Sequence, residues 1–420
     1  MKMATGLVHR LMLQFYAAFP EDPPPTTADA PSVAVLHGNG EVSPQKPRIV
    51  CAPGRANVIG EHTDYQEGFV MPFALADHRC YVVYRPRPDR TTVRAFAADL
   101  DQWGEADLAS MAEKRRADPA WGSRKDDFEV PFLRYVAGPF EWTRTEIIDV
   151  GGDSSGDAAA TAYRGCDVLL TSTVPSGGGV SSSSAIVVAC TVAARDAYRE
   201  YPLVKTADGV DDDALLRTAC EAEWHYSGVR GGIMDQFASL EARPGKAMVI
   251  DCRTRRVACE VEFPADEVRF LVINTNVKHS LADSPYAKRR EACERVAALA
   301  GVPMLRDLSD LGDAAALQKL DELEGRIDPV DKRRAIHGVL ENNRVRRAVE
   351  LAKQRDWPAF GRLLDEAHAS LRDLYDVSCP ELDAACQAAR EADACYGARM
   401  MGGGFGGCAI ALCRVGDVDV

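Results

Sequence analysis

The sequence predicts an α+β protein of two domains behind an irregular extension, and two observations carry that prediction. At 420 residues with 46% hydrophobic content, the chain is too long for one ordinary core and apolar enough to fill two. Beyond about residue 255 the pattern shifts to strands such as Phe270-Leu-Val-Ile-Asn274, followed by a charged helical stretch from Ala287 to Leu374 broken by turns, which reads as a second α+β domain. No repeat with a period of about 20 to 50 residues runs through the chain, so a solenoid is not supported.

Taken in order, Leu7 to Phe19 is apolar but interrupted by His9, Arg10 and Gln14, and reads as an amphipathic helix. It holds no acidic residue before Glu21, which leaves a cleaved transit peptide open. Glu21 to Lys46 has linker composition: Pro-Pro-Pro, Thr-Thr, Ala-Pro and a Gly-Asn-Gly turn. The expected divisions are therefore an extension over 1–47, a first domain over 48–255 and a second over 256–420. From Arg48, Ile-Val-Cys-Ala-Pro reads as a short strand ended by Pro53, and Gly68 to Leu75 opens another apolar run. The polar loop between them is the first candidate site. Gly151 to Asp157 and Lys205 to Asp213 are expected to be surface loops.

Composition removes several functions. A formal charge of −13 and a pI near 5.2 lack the basic footprint of a nucleic-acid or anionic-membrane partner. No apolar run approaches the roughly 20 residues that span a bilayer. Thirteen cysteines without a C-x-x-C pair fit reduced thiols in a cytoplasmic protein better than zinc or a redox dithiol.

Val174-Pro-Ser-Gly-Gly-Gly-Val-Ser-Ser-Ser-Ser-Ala185 sets three glycines and then a run of four serines directly before an apolar stretch long enough for a helix. Glycine lets backbone approach an anion, serine caps the new helix, and the free N–H groups with the helix dipole favour negative charge. A serine hydroxyl there can also ligate Mg²⁺. The plain alternative is a flexible Gly/Ser linker, but a linker would not run straight into Ala185-Ile-Val-Val-Ala-Cys-Thr-Val-Ala-Ala. No G-K-[ST] occurs, so this is not a Walker A loop.

Gly54-Arg-Ala-Asn-Val-Ile-Gly-Glu-His-Thr-Asp-Tyr65 packs Arg55, Glu61, His62 and Asp64 into one turn region. Two carboxylates and a histidine can hold successive sugar hydroxyls. Metal ligation by Glu61, His62 and Asp64, or a solvated polar turn, are together as good a reading of this segment alone. Farther on, Ala214 to Tyr226 reads as a helix carrying Glu223, and Gly228-Val-Arg-Gly-Gly-Ile-Met-Asp-Gln places Asp235 after a glycine turn. One carboxylate can hold a metal while the other accepts a hydroxyl proton, a division of labour common in phosphoryl transfer. Gly402-Gly-Gly-Phe-Gly-Gly407 contains a formal G-x-G-x-x-G, but Cys408-Ala-Ile-Ala-Leu-Cys413 after it reads as a strand rather than the helix a dinucleotide fold needs. A glycine turn between two strands fits better.

Together these segments resemble the galactokinase family of the GHMP small-molecule kinases, over about residues 48 to 413. The motifs are Gly54 to Tyr65, Pro175 to Ala185 and Arg399-Met-Met-Gly-Gly-Gly-Phe-Gly-Gly-Cys408, with Asn276 to Ala282 and Leu371 to Asp383 as further family-like segments. The resemblance implies a domain like the second domain of ribosomal protein S5 followed by a ferredoxin-like domain, with galactose, ATP and Mg²⁺ as ligands; a monomer is the expected form, with a dimer as the alternative. It implies Asp235 as the carboxylate accepting the C1 hydroxyl proton and Arg55 as the cation that keeps it ionised. It implies Ser183 and Glu223 on Mg²⁺, a galactose pocket lined by Glu61, His62, Asp64, Gly232 and Tyr286, and phosphates wrapped by Gly177, Gly178, Gly179, Val180, Ser181 and Ser182. Three departures stand out. Met401 replaces a common threonine, Phe132 replaces a common tryptophan, and the chain stops soon after the third motif, so a shortened C-terminal domain is expected. Thr63, where N-acetylgalactosamine kinases more often carry isoleucine, leans toward unsubstituted galactose. A catalytically silent galactose and ATP sensor is the alternative of a different class.

Overall fold

The computed structural model describes residues 2–20, 46–87, 91–151, 165–198, 212–243, 245–277 and 286–416. The expected linker over 21–45 and most of the two expected surface loops lie outside them. In chain order the elements are α1 (Lys2–Ala18), β1 (Arg48–Asn57), β2 (Phe69–Val70), β3 (Pro72–Arg87), β4 (Thr92–Ala97), β5 (Gln102–Asp107), α2 (Leu108–Ala117), α3 (Leu133–Gly151), β6 (Gly165–Ser172), α4 (Ser182–Ala197), α5 (Asp212–Ser227) and α6 (Met234–Glu241). There follow β7 (Lys246–Asp251), β8 (Arg256–Glu262), β9 (Val268–Asn274), α7 (Tyr286–Ala300), α8 (Leu305–Ser309), α9 (Asp313–Asp321), α10 (Pro329–Gln354), α11 (Trp357–Asp373), α12 (Pro380–Arg390), β10 (Cys395–Met400) and β11 (Cys408–Arg414). The amphipathic N-terminal helix, the strand from Phe270 and the charged helical stretch are all present. The strand expected to end at Pro53 runs on to Asn57 instead. It lies at one end of its sheet, where a residue without an N–H can sit without breaking an inner ladder.

The residues gather into two compact units that interleave along the chain: Met1–Pro53, Asp77–Val174 and Ser183–Arg230 in one, Gly54–Ala76, Pro175–Ser182 and Gly231–Val420 in the other. The boundary expected at residue 255 falls in the turn joining β7 to β8, which pair from Lys246↔Glu262 to Asp251↔Arg256. The two short loops that carry the first two motifs belong with the C-terminal elements, which a reading by contiguous segments could not show.

The first unit is built on a five-stranded sheet in the order β1-β3-β6-β4-β5. The helix α1 covers one face, burying Leu11, Met12, Phe15 and Phe19 against Ile49, Val83 and Leu169. Its apolar residues recur every three to four positions, which makes one stripe that must find a partner. On the sheet, Arg85, Asp167 and Arg94 stand in register across three strands. Asp167 therefore accepts from Arg85 at 2.8 Å and Arg94 at 2.7 Å, and burial of that charge is balanced by its cross-strand neighbours.

The second unit holds two three-stranded antiparallel sheets, β10-β11-β9 and β2-β7-β8. Trp357, Phe360, Leu363 and Leu364 of α11 bury against Val249, Val261 and Leu412. Each large side chain so buried contributes about 1.5–3 kcal/mol. Two capped helix starts fix the register of this layer: Asp328 accepts from Val330 and Asp331 N–H ahead of Pro329, and Asp356 accepts from Ala359 N–H ahead of Trp357.

Candidate active site

Arg55, near the end of β1, ties three distant stretches of the second unit together. Its Nε and Nη2 donate to Asp235 Oδ1 at 2.8 and 2.7 Å, and its Nη1 donates to the Gly179 carbonyl at 2.7 Å. Its backbone N–H donates to the Val180 carbonyl at 3.1 Å. The Arg55 side chain is 5% exposed, whereas that of Asp235 is 30% exposed. Asp235 thus keeps an open carboxylate oxygen beside a largely buried cation, in the first turn of α6.

Asp64 stands next to this pair. Its Oδ1 accepts from Tyr65 N–H at 3.0 Å and its Oδ2 from Met234 N–H at 3.4 Å. Burial, and then the negative charge of Asp235, push its carboxyl up to about 6. Gly232 is the residue that lets this approach happen: a Cβ there would meet the Asp64 carboxylate at 2.0 Å. Tyr286 opens α7, and its side chain lies outside the described residues.

The glycine–serine loop is shaped for close contact. Gly177, Gly179 and Ser181 all have positive φ, at 74°, 69° and 62°. Ser181 carries the strain of a left-handed backbone, and its Oγ is buried without a hydrogen-bond partner among the described residues. The loop runs directly into α4 through Ser182. Behind it lies the second glycine cluster, which is the turn between β10 and β11, as its sequence suggests. A Cβ at Gly402 would sit 3.0 Å from the Gly179 carbonyl, and one at Gly407 would sit 3.3 Å from Gly178. Ser183, in the first turn of α4, and Glu223, a largely buried residue of α5, both belong to the first unit.

Glu61 and His62 are both buried. Glu61 is 0% exposed, and its carboxylate accepts from Arg399 Nη2 at 2.9 Å, from Gly402 N–H at 2.7 Å and from Asn57 Nδ2. Arg399, itself without exposed surface, also donates to the carbonyls of Asn57, Val58 and Met400 at 2.6 to 2.7 Å. Burial raises the Glu61 carboxyl, and the Arg399 charge opposes that rise. His62 pairs through Nδ1 with the Tyr65 hydroxyl at 2.8 Å, which meets the Tyr375 hydroxyl at 2.7 Å. Burial lowers its imidazole to about 3, so it is neutral. Thr63 is buried too, its hydroxyl shared between the Gly60 and Phe69 carbonyls. Among the described residues no group of three or more His, Cys, Asp or Glu is placed to hold a metal ion, which removes the support for metal ligation by Glu61, His62 and Asp64.

Three family models match the chain: the galactokinase galactose-binding signature over residues 41–86, the GHMP kinases N terminal domain over 148–243 and the GHMP kinases C terminal over 348–418. Galactokinase of Streptomyces coelicolor is 41% identical over 88% of this chain and 86% of its own, and that of Homo sapiens is 36% identical over 86% and 83%. The chain belongs to the galactokinase family. The crystal structure of Lactococcus lactis galactokinase complexed with galactose matches it with a TM-score of 0.72 at 27% identity, covering 97% of this chain and 90% of that one. Mevalonate kinase from Methanococcus jannaschii, at 15% identity and a TM-score of 0.53, shares the fold.

Against galactokinase motifs, sequence reasoning left several residues of this framework unassigned. Arg399 heads the third motif, so its position was visible while its role was not. Glu341, which accepts from Gly60 N–H at 2.9 Å, and Asn342, which accepts from Phe69 N–H at 2.8 Å, hide in the charged helix α10. Met401 is buried, and its sulfur accepts from Asn57 N–H at 3.3 Å, so the thioether occupies a polar position. Cofactor fit rests on donor chemistry. The unpartnered Ser181 hydroxyl and the positive-φ loop suit phosphate oxygens, and the Ser183 hydroxyl with the Glu223 carboxylate are hard oxygen donors of the kind Mg²⁺ takes alongside substrate phosphates.

Proposed function

We propose that the protein transfers the γ-phosphate of ATP to the C1 hydroxyl of α-D-galactose, giving galactose 1-phosphate and ADP. The observation that carries this reading is Arg55, which holds the Asp235 carboxylate and the Gly179 carbonyl with one guanidinium. A proton acceptor and a phosphate-type loop are thereby kept in fixed relation, which is what a displacement at phosphorus requires. Asp235 takes the C1 hydroxyl proton on its open oxygen, and Arg55 holds that carboxylate in place. Asp64, the backbone at Gly232 and Tyr286 are the groups assigned to the sugar. Backbone N–H groups of Gly177, Gly178, Gly179, Val180, Ser181 and Ser182, at the start of α4, bind the phosphates. Ser183 and Glu223 would hold Mg²⁺, which when bound offsets phosphate charge.

N-acetylgalactosamine kinase activity is the nearest alternative. A monomer acting in the cytoplasm completes the proposal; among the described residues no helix is long and apolar enough to cross a membrane. The test is ADP release measured across galactose, 2-deoxygalactose, N-acetylgalactosamine, galacturonate, arabinose and glucose. Galactose should give the highest kcat/KM. Faster turnover of N-acetylgalactosamine would move the chain to that activity, and binding of galactose and Mg-ATP without ADP release would make it a sensor.

A further inference from the structure

The hairpin β10–β11 carries the glycine turn at one end and a pair of cysteines at the other. Cys395 and Cys413 are direct partners in its antiparallel register, which shifts by one residue immediately afterwards, Gly397 standing opposite Leu412. The Arg414 N–H donates to the Ala394 carbonyl at 2.8 Å, so the ladder bond lies just outside the pair. That makes Cys395 and Cys413 a non-hydrogen-bonded pair, in which Cα atoms approach to about 4.5 Å and side chains lean toward each other. A disulfide needs Cα atoms about 4.4 to 6.8 Å apart, the range in which directly paired residues of an antiparallel ladder lie. Both side chains belong to one cluster with Cys386, Ala398, Ala409 and Ala411. All three thiols are reduced in the structure, but they differ in access: Cys395 is partly exposed, and Cys386 and Cys413 are buried.

From this placement we infer that Cys395 and Cys413 form a reversible redox site, in which Cys395 is the attacking thiol and Cys413 the resolving one. The co-reactant is a small-molecule disulfide such as oxidised glutathione. The Cys395 thiolate attacks one sulfur of that disulfide and expels the other as a thiolate, leaving a mixed disulfide. Cys413 loses its proton to water and attacks the Cys395 sulfur, expelling the second small thiolate. The two protein sulfurs are oxidised by two electrons, and the small disulfide is reduced to two thiols. The chemistry is apportioned by environment: the Cys413 thiol, within hydrogen-bond reach, lowers the Cys395 thiol below its ordinary range, and Cys413 is raised in turn. The bond would close the base of the hairpin whose tip packs on Gly178 and Gly179. It is independent of which sugar the protein uses.

The experiment equilibrates the full chain with oxidised glutathione, blocks remaining thiols with iodoacetamide and maps peptides by mass. The expected product is a cross-link between the Cys395 and Cys413 peptides, two hydrogens lighter than their sum and lost on reduction. In Cys413→Ser the expected product is a persistent glutathione adduct on Cys395. A stable adduct on wild-type Cys395 with Cys413 alkylated, a link from Cys395 to Cys386, or no modification of Cys395 would each overturn the inference.

Discussion

Glu61 and Asp64 are carboxylates three positions apart in one loop, and the fold treats them oppositely. Glu61 has no exposed surface and directs its oxygens to Arg399, Asn57 and the Gly402 N–H. Asp64 is partly exposed, holds two backbone N–H groups and stands against Asp235, which keeps an open oxygen of its own. The inward half of the loop joins the first motif to the third. The outward half, with Arg55, joins it to the glycine–serine loop and to Asp235. A motif rich in polar residues is therefore divided between a buried framework and a half that faces Asp235.

The largest effect should come from breaking the inward half. Glu61→Gln leaves the buried Arg399 cation without a counter-charge, and removing one partner of a buried pair costs about 3–5 kcal/mol. Urea unfolding should show that loss, with KM for galactose changed little in the protein that remains folded. A stability change under about 1 kcal/mol together with a tenfold rise in KM would make Glu61 a sugar contact and dissolve the distinction.

The outward half should fail in the opposite way. Asp235→Asn keeps its shape and sits where the side chain is 30% exposed, so folding and ligand binding should persist. Turnover should fall at least roughly a hundredfold, the usual scale for a lost general base. Calorimetric binding of galactose measured beside kcat separates the two; near-normal kcat would remove Asp235 from the role.

How much of this was legible follows the same division. The glycine turn between β10 and β11, the helix carrying Glu223 and the loop before α4 could be read because glycine, serine and apolar periodicity act locally. Burial of Glu61 could not, because it depends on Arg399, 338 positions away. Nor could the two units, since the short stretches Gly54–Ala76 and Pro175–Ser182 pack with the C-terminal elements. Pro53 misled for a related reason: its cost in a strand depends on whether that strand is at an edge, which is a property of the sheet order and not of the residue.

The smallest effect sharpens the comparison by asking whether Asp64 and Asp235 sense each other. The Asp64 carboxyl titrates at about 6 in the folded protein against 3.8 unperturbed, with burial the larger cause and Asp235 the second. A folded value raised above the unfolded one means that the folded state holds the proton more tightly. The stabilisation is complete below the unfolded value and is lost as pH rises through about 6. A rise of that size is worth about 3 kcal/mol at most, and partial exposure of Asp64 reduces this to about 1–2 kcal/mol. Other carboxylates titrate in the same window, so the quantity to measure is the difference between Asp64→Asn and wild type by urea unfolding at steps from pH 4 to 7. Loss of one backbone hydrogen bond adds an offset that does not vary with pH. On top of it the variant should gain about 1–2 kcal/mol relative to wild type across that range, and less in an Asp235→Asn background. A difference that stays flat from pH 4 to 7 would show that Asp64 is ionised throughout and that the two outward carboxylates do not interact.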